Sequence, residues 1–269
     1  MKLKITVVAI IVLVGAAAMT RAGASGVGGA EKGPRVLVLA ELFTSEGCSS
    51  CPPADDLLRR LLNDQPVDGV EVVPISEHVD YWDRLGWRDP FSSAHYSERQ
   101  SAYAHALGGG QIYTPQLVVD GALEAVGNDF SAVRQALTRA AQSPHANVTI
   151  SATRVDTGSK VTVRVAVSDL PAPFAASKTE VMVAVVEDGL ATDVPRGENA
   201  RRRLRHDAVA RGLTSIGTLA SAGELTGVVD VGGDMSSRRR IVVFLQDRTT
   251  RRIAGVATTD VQGGAPAMR

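Results

Sequence analysis

Cysteine is almost absent: the 269 residues contain two, at Cys48 and Cys51. A bond between them closes too short a loop to restrain much unfolded-chain entropy, so a structural staple is a weak explanation for the pair. Net charge is absent as well. Acidic and basic side chains balance at 29 each, so no global field favours nucleic acid or an anionic surface, and no nucleic-acid motif is recognised. Aromatics make up only 4% of the chain, which leaves core formation mainly to Val, Leu, Ala and Ile. No Met-rich or His-rich run advertises copper handling, and no internal repeat is evident.

The amino terminus is built for export. Lys2 and Lys4 precede an apolar stretch over 5–19, Arg21 ends it, and Ala22-Gly23-Ala24 suits a signal peptidase. Residues 1–24 read as a secretory signal peptide. The stretch is shorter than the roughly 20 residues of a membrane span, so no stable span is expected after cleavage; an uncleaved anchor is the alternative. Residues 25–34, rich in Gly, Ala and Ser, read as a flexible lead-in. The expected location is periplasmic or secreted, where disulfides persist.

Two periodicities follow. Over 35–143, strands at 36–43, 70–76, 116–120 and 122–126 alternate with helices at 54–64, 92–107 and 130–141, in the order βαβαββα. The run over 36–43 is nearly all apolar, as in a strand covered on both faces. Leu57, Leu58, Leu61 and Leu62 share one helical face, and Pro52 and Pro53 suit a helix start. Pro74 suggests an edge or an irregularity in the second strand. From about 146 to 260 the period becomes two, which predicts a β-sandwich. Residues 188–213 interrupt it as a charged excursion with a short helix expected around 203–211. Residues 261–269 are expected to be a disordered tail. The fold class is thus an α/β domain followed by an all-β, sandwich-like domain, with a boundary near Ser143-Pro144.

Cys48-Ser49-Ser50-Cys51 stands between the first strand and the first helix. A helix amino terminus carries partial positive charge and free amides, both of which favour thiolate. Cys48 is the expected attacking thiol. Cys51, one helical turn inward, is the expected resolving thiol of a mixed disulfide.

In this order of elements, residues 36–141 resemble the thioredoxin-like superfamily. Tyr113-Thr114-Pro115-Gln116 stands where that superfamily has its cis-proline loop. The resemblance implies a cis Pro115 facing the dithiol, with Thr114 and Pro115 binding an extended substrate chain. The segment Phe43-Thr44-Ser45-Glu46-Gly47-Cys48-Ser49-Ser50-Cys51-Pro52-Pro53-Ala54-Asp55 is narrower in its likeness. With Glu77-His78-Val79-Asp80-Tyr81-Trp82 and the Pro115 loop, it resembles a family of exported bacterial thioredoxin-like proteins known only as a domain of unknown function. The β region resembles the same architecture.

Three departures from ordinary thioredoxins stand out. Gly47 replaces an aromatic before the first cysteine, Ser49-Ser50 replaces Gly-Pro, and Leu42 occupies the position of a buried acid, with Glu41 one residue off and facing the other way. Glu46, Glu77 and His78 are then the candidate proton relays for Cys51. Trp82 and Trp87 either line a groove for apolar side chains of a substrate or anchor a long loop. Gly108-Gly-Gly110 lacks the Lys-Ser/Thr ending of a phosphate loop. Gly197-Glu198-Asn199 suggests a tight turn; the family resemblance implies that the excursion folds back over the first domain, and it is expected to pack near Trp82 and Trp87.

Three functions compete on these residues. The first is thiol–disulfide exchange on protein or peptide thiols, served by a further, unidentified redox partner and needing no cofactor. The second is a copper- or zinc-binding module or metallochaperone using Cys48, Cys51 and His78. The third is a non-enzymatic interaction module with a vestigial dithiol.

Overall fold

A computed structural model describes residues 35–155, 158–219, 223–232 and 238–261. The signal, the lead-in and residues 262–269 of the tail lie outside the described residues. Among the described residues no helix is long and apolar enough to cross a membrane.

The first region follows the expected order: β1 (Val36–Thr44), α1 (Pro52–Asp64), β2 (Val70–His78), α2 (Ala94–Ala106), β3 (Gln116–Val119), β4 (Leu123–Val126) and α3 (Phe130–Ala140). β1 pairs in parallel with β2 and antiparallel with β3, and β3 pairs with β4 as a hairpin. Alternation along β1 divides its side chains. Val38, Ala40 and Leu42 pack with Leu57, Leu58 and Leu61 of α1 and with Val133 and Leu137 of α3. Glu41 and Phe43 meet α2 on the opposite face, through Arg99 and Tyr103. Asp129 caps α3, its carboxylate accepting from the amide of Ala132 at 3.0 Å, as an acidic residue at a helix start should.

The second region is all β: β5 (Asn147–Arg154), β6 (Lys160–Ser168), β7 (Thr179–Glu187), β8 (Leu190–Val194), β9 (Arg202–His206), β10 (Val209–Thr218), β11 (Glu224–Asp230), β12 (Arg239–Asp247) and β13 (Ile253–Asp260). β11-β6-β5 form a three-stranded sheet. Its Val161, Val163 and Val165 pack against Val183, Val185, Ile241 and Val243 of β7 and β12, which makes a sandwich.

The strands of both regions nevertheless share one eight-stranded sheet, ordered β13-β12-β7-β10-β2-β1-β3-β4. The join is a short parallel contact, Val209 opposite Ser76, with the Ser76 amide donating to the Ala208 carbonyl at 2.7 Å. The change of period near residue 144 therefore separates two kinds of chain but not two sheets. Pro74 is accommodated because β10 pairs with β2 only at Ser76, so the proline needs a partner on one side alone. A mixed core of Leu39, Val73, Ile75 and Tyr96 with Ala184, Val186, Val242 and Phe244 spans the join.

The helix expected around 203–211 is not formed. Leu204 and His206 are buried while Arg203 and Arg205 are exposed, a period of two, and β9 pairs with β8 as a separate hairpin. The backbone turns at Ala208, φ 55°, and continues as β10.

Candidate functional site

β1 ends at Thr44, and a seven-residue turn delivers the chain to α1, with Cys51 at the N-cap and Pro52 and Pro53 in the first turn. Prolines are harmless there because those amides have no partner inside the helix. Cys48 and Cys51 are joined by a disulfide with Cα atoms 5.4 Å apart. Both cysteines are fully buried, while Ser49 and Ser50 are exposed. The hydroxyl of Ser50 lies 3.4 Å from Cys48 Sγ. Gly47 leaves room for an aromatic from elsewhere: a Cβ on it would stand 3.0 Å from Trp82 Cβ.

Trp82 links this turn to the proline loop, its indole Nε1 donating to Thr114 Oγ1 at 2.9 Å. The Thr114–Pro115 bond is cis. Gln100 of α2 holds the loop by donating to the Tyr113 carbonyl at 2.8 Å and to Gln116 Oε1 at 2.9 Å. Pro115 packs beside the first turn of α1: a Cβ on Gly127 would lie 3.2 Å from both Ala54 Cβ and Pro115 Cβ.

Behind the dithiol, at the carboxyl ends of β1 and β2, lies a buried polar cluster. Thr44 and His78 are register partners there. Trp87 Nε1 donates to Glu46 Oε2 at 2.7 Å, and His206 Nε2 lies 3.2 Å from Glu46 Oε1. The other nitrogen, His206 Nδ1, is 3.6 Å from Asp55 Oδ2, within ion-pair reach but beyond hydrogen-bond length. Asp55 Oδ1 accepts from the Thr44 hydroxyl at 2.9 Å. Burial raises the Asp55 carboxyl to about 7, although His206 and Thr44 pull the other way.

His78 belongs to a second branch of the cluster. Its Nδ1 is 2.7 Å from Asp89 Oδ2, which also accepts from the Glu46 amide at 2.8 Å. Burial pushes Asp89 upward, but His78 and the amides of Glu46 and Phe91 outweigh it and hold the carboxyl below the usual range. The His78 ring meets those of His206 and Phe91 edge-on, with centroids 4.9 and 5.3 Å away. Among the described residues His78 Nε2 has no hydrogen-bond partner.

The β8–β9 hairpin closes the site from the β region. At its tip, Asn199 is fully buried and its Nδ2 donates to the carbonyls of Glu46 and Cys48, each at 2.9 Å. Glu198 Oε2 accepts from the Ser49 amide at 3.0 Å. Gly197, φ +81°, faces Trp87, where a Cβ would come within 3.1 Å of Trp87 Cβ. The excursion thus folds back over the first region beside the tryptophan loop.

Of the residues singled out in the sequence, the structure assembles Cys48, Cys51, Glu46, His78, Trp82, Trp87, Thr114 and Pro115 around one turn. Both tryptophans are half-buried and anchor loops by their indole N–H groups. Glu77 is not among them. It points to the other face of the sheet, 3.4 Å from Arg99, where burial and Glu41 hold its carboxyl well above the usual range despite Arg99. As for the metal reading, His78 Nδ1 is engaged by Asp89. Among the described residues no three or more His, Cys, Asp or Glu side chains are grouped so as to hold a metal ion.

Asp55, Asp89, Glu198, Asn199 and His206 were not foreseen as site residues. Asp55 carried a signal, standing four positions after Cys51 on the same helix. The resemblance implies that the 188–213 excursion folds over the first region, but no sequence pattern singles out His206 or Asn199 as neighbours of residues 46–55.

A family model described as "protein of unknown function (DUF1223)" matches residues 39–246. Among solved structures, a crystal structure of an Agrobacterium tumefaciens protein is 26% identical at a TM-score of 0.62, covering 87% of this chain and 98% of that one. A domain of the outer membrane lipoprotein Omp28 from Porphyromonas gingivalis is 17% identical at a TM-score of 0.31, covering 45% of this chain and 92% of that one. No curated protein matches the chain.

Proposed function

The chain belongs to this family of proteins of unknown function, and we propose that it is a thiol–disulfide oxidoreductase acting on protein or peptide thiols in the periplasm or outside the cell. The observation that supports this most is the mounting of the disulfide. Cys48–Cys51 sits at the amino end of α1, beside the Pro115 loop and in front of a buried cluster of carboxylates and imidazoles. A loop of two intervening residues does little for stability, whereas this placement favours the thiolate that exchange requires.

In the oxidised protein, a substrate thiolate attacks Cys48 Sγ. The Cys48–Cys51 bond breaks and Cys51 leaves as thiolate. A second substrate thiolate then displaces Cys48 from the mixed disulfide. Two electrons pass from substrate to protein, and a redox partner of the same thiol chemistry returns the protein to its starting state. The reverse sequence, with Cys48 attacking and Cys51 resolving, reduces a substrate disulfide. Direction follows from the reduction potential of the pair against its compartment. Thr114 and Pro115 align the substrate chain, and Trp82 forms the wall between that loop and the dithiol.

The test combines equilibration against glutathione or dithiothreitol couples with trapping by a Cys51→Ser variant. The expected results are a measurable potential and mixed disulfides at Cys48. Thiols inert to both couples, together with no adduct at Cys48, remove the reading.

A further inference from the structure

Opening the disulfide creates a problem that the structure answers from an unexpected part of the chain. Cys51 is fully buried, and an unpaired anion in such a place is costly. A proton must therefore reach Cys51 Sγ as the bond breaks. Leu42 faces the apolar core of α1 and α3 and offers none.

Asp55 is four residues beyond Cys51 on α1, its amide bonded to the Cys51 carbonyl at 3.1 Å. Residues i and i+4 lie on one face of a helix, and the later side chain leans back toward the earlier one. Around the Asp55 carboxyl stand the Thr44 hydroxyl from β1 and His206 Nδ1 from β9. Asp89, from the loop between β2 and α2, and the adjacent Asp56 add negative charge nearby. His206 in turn has Glu46 on its other nitrogen, so the imidazole is bracketed by two carboxylates contributed by the first region.

We infer that the redox centre is composite: Asp55 is the group that exchanges a proton with Cys51, and His206, supplied by the β region, is its positioning residue. This rests on the oxidoreductase reading. When the disulfide opens, the protonated Asp55 carboxyl gives its proton to the Cys51 thiolate. A neutral thiol and a carboxylate result, the latter facing His206 and Thr44. When the disulfide re-forms, the proton returns to Asp55 as Cys51 becomes the nucleophile. The carboxyl, raised by burial to about 7, holds its proton on the acid side of neutrality and releases it on the alkaline side, as a group exchanging protons near neutral pH should.

The experiment follows the opening of Cys48–Cys51 in the full chain by dithiothreitol. The rate is expressed per dithiothreitol thiolate, from pH 5.5 to pH 9. Wild type is expected to be fast and level below about pH 7 and to fall above it. Asp55→Asn is expected to be level throughout and, at pH 6, slower by about 100-fold, the lower end of what a positioned acid contributes. His206→Gln keeps the acid but removes an imidazole that lowers its pKa, so the inflection moves to higher pH. The last result depends on electrostatic coupling and would not arise from a merely structural histidine. An Asp55→Asn protein with the wild-type profile overturns the inference and leaves the oxidoreductase reading standing. A wild-type disulfide that resists dithiothreitol at every pH removes both.

Discussion

Asn199 donates from its side-chain amide to the carbonyl of Cys48 at 2.9 Å, across 151 positions of the chain. The same nitrogen holds the Glu46 carbonyl, so a residue at the tip of a β hairpin fixes the turn that carries the dithiol. Cys48 is fully buried, and we expect a macromolecular thiol to reach the sulfur only when the tip moves.

The clamp is therefore expected to be both a stability element and a barrier. Asn199→Ala leaves the buried Glu46 carbonyl without this donor and the Cys48 carbonyl with only the Cys51 amide at 3.2 Å, a loss of about 1–3 kcal/mol on the scale of unsatisfied buried groups. Urea unfolding should show that loss, and reduction of the disulfide by a protein dithiol should accelerate more than reduction by dithiothreitol. Equal acceleration for both would mean that the tip does not gate access.

Arg99 is the pin between the regions on the other face of the sheet. It donates to Glu41 Oε1 at 2.7 Å, to the Tyr103 hydroxyl at 2.9 Å and to Gln246 Oε1 of β12 at 2.9 Å. Arg99→Met strips the cation from two buried carboxyls, Glu41 and Glu77. Removing one partner of a buried ion pair costs about 3–5 kcal/mol, and thermal or urea unfolding measures it. Adding Glu41→Leu to Arg99→Met should recover part of the loss; no recovery would show that packing, not uncompensated charge, dominates.

The shared sheet bears on whether 35–143 folds by itself. That fragment would expose Leu39, Val73, Ile75 and Tyr96, which pack on β7, β10 and β12 in the whole chain, and would leave Arg99 without Gln246. We expect residues 35–143 alone to give poorly dispersed amide NMR spectra and a non-cooperative melt. A cooperative transition with native dispersion would establish the expected domain boundary as a true folding boundary.

Asp55 ties stability to pH with a definite sign. Its folded pKa of about 7 lies above the unfolded carboxylate value, so the folded state binds the proton more tightly. The resulting stabilisation is fully present below about pH 4, where both states are protonated. It declines as pH rises toward 7 and is lost above it. Asp89 acts oppositely. Its lowered pKa gives stability that is present above about pH 4 and disappears as pH falls through the folded value. Asp55→Asn should flatten the stability curve between pH 4 and pH 8, and make the variant more stable than wild type at pH 8 by chemical denaturation. A variant less stable at pH 8 would show that the Thr44 and His206 contacts outweigh the burial of charge.

Much of this was legible in the chain because it is local. The apolar run of β1, the leucine face of α1, the two prolines at its start and the alternation in β6 and β7 are written within ten or so residues, and strand and helix periods follow from backbone geometry alone. The position of Cys48 and Cys51 at a strand-to-helix turn is equally local. Even the failed helix at 203–211 had its answer nearby, since Leu204 and His206 alternate with arginines.

What no local pattern carried is the company the dithiol keeps. His206 and Asn199 are ordinary polar residues in sequence. They become part of the site because β10 adds one short parallel contact to β2 and so brings the β8–β9 hairpin to the carboxyl ends of β1 and β2. Glu77 went the other way: one step from His78 along a strand turns a side chain to the opposite face, and there Arg99 was waiting for it. The chain by itself determined a βαβαββα order, an all-β continuation and a cysteine pair at a strand-to-helix turn. The tertiary structure decided which buried acids and imidazoles stand behind that pair, because burial and pKa depend on neighbours that only long-range strand pairing supplies.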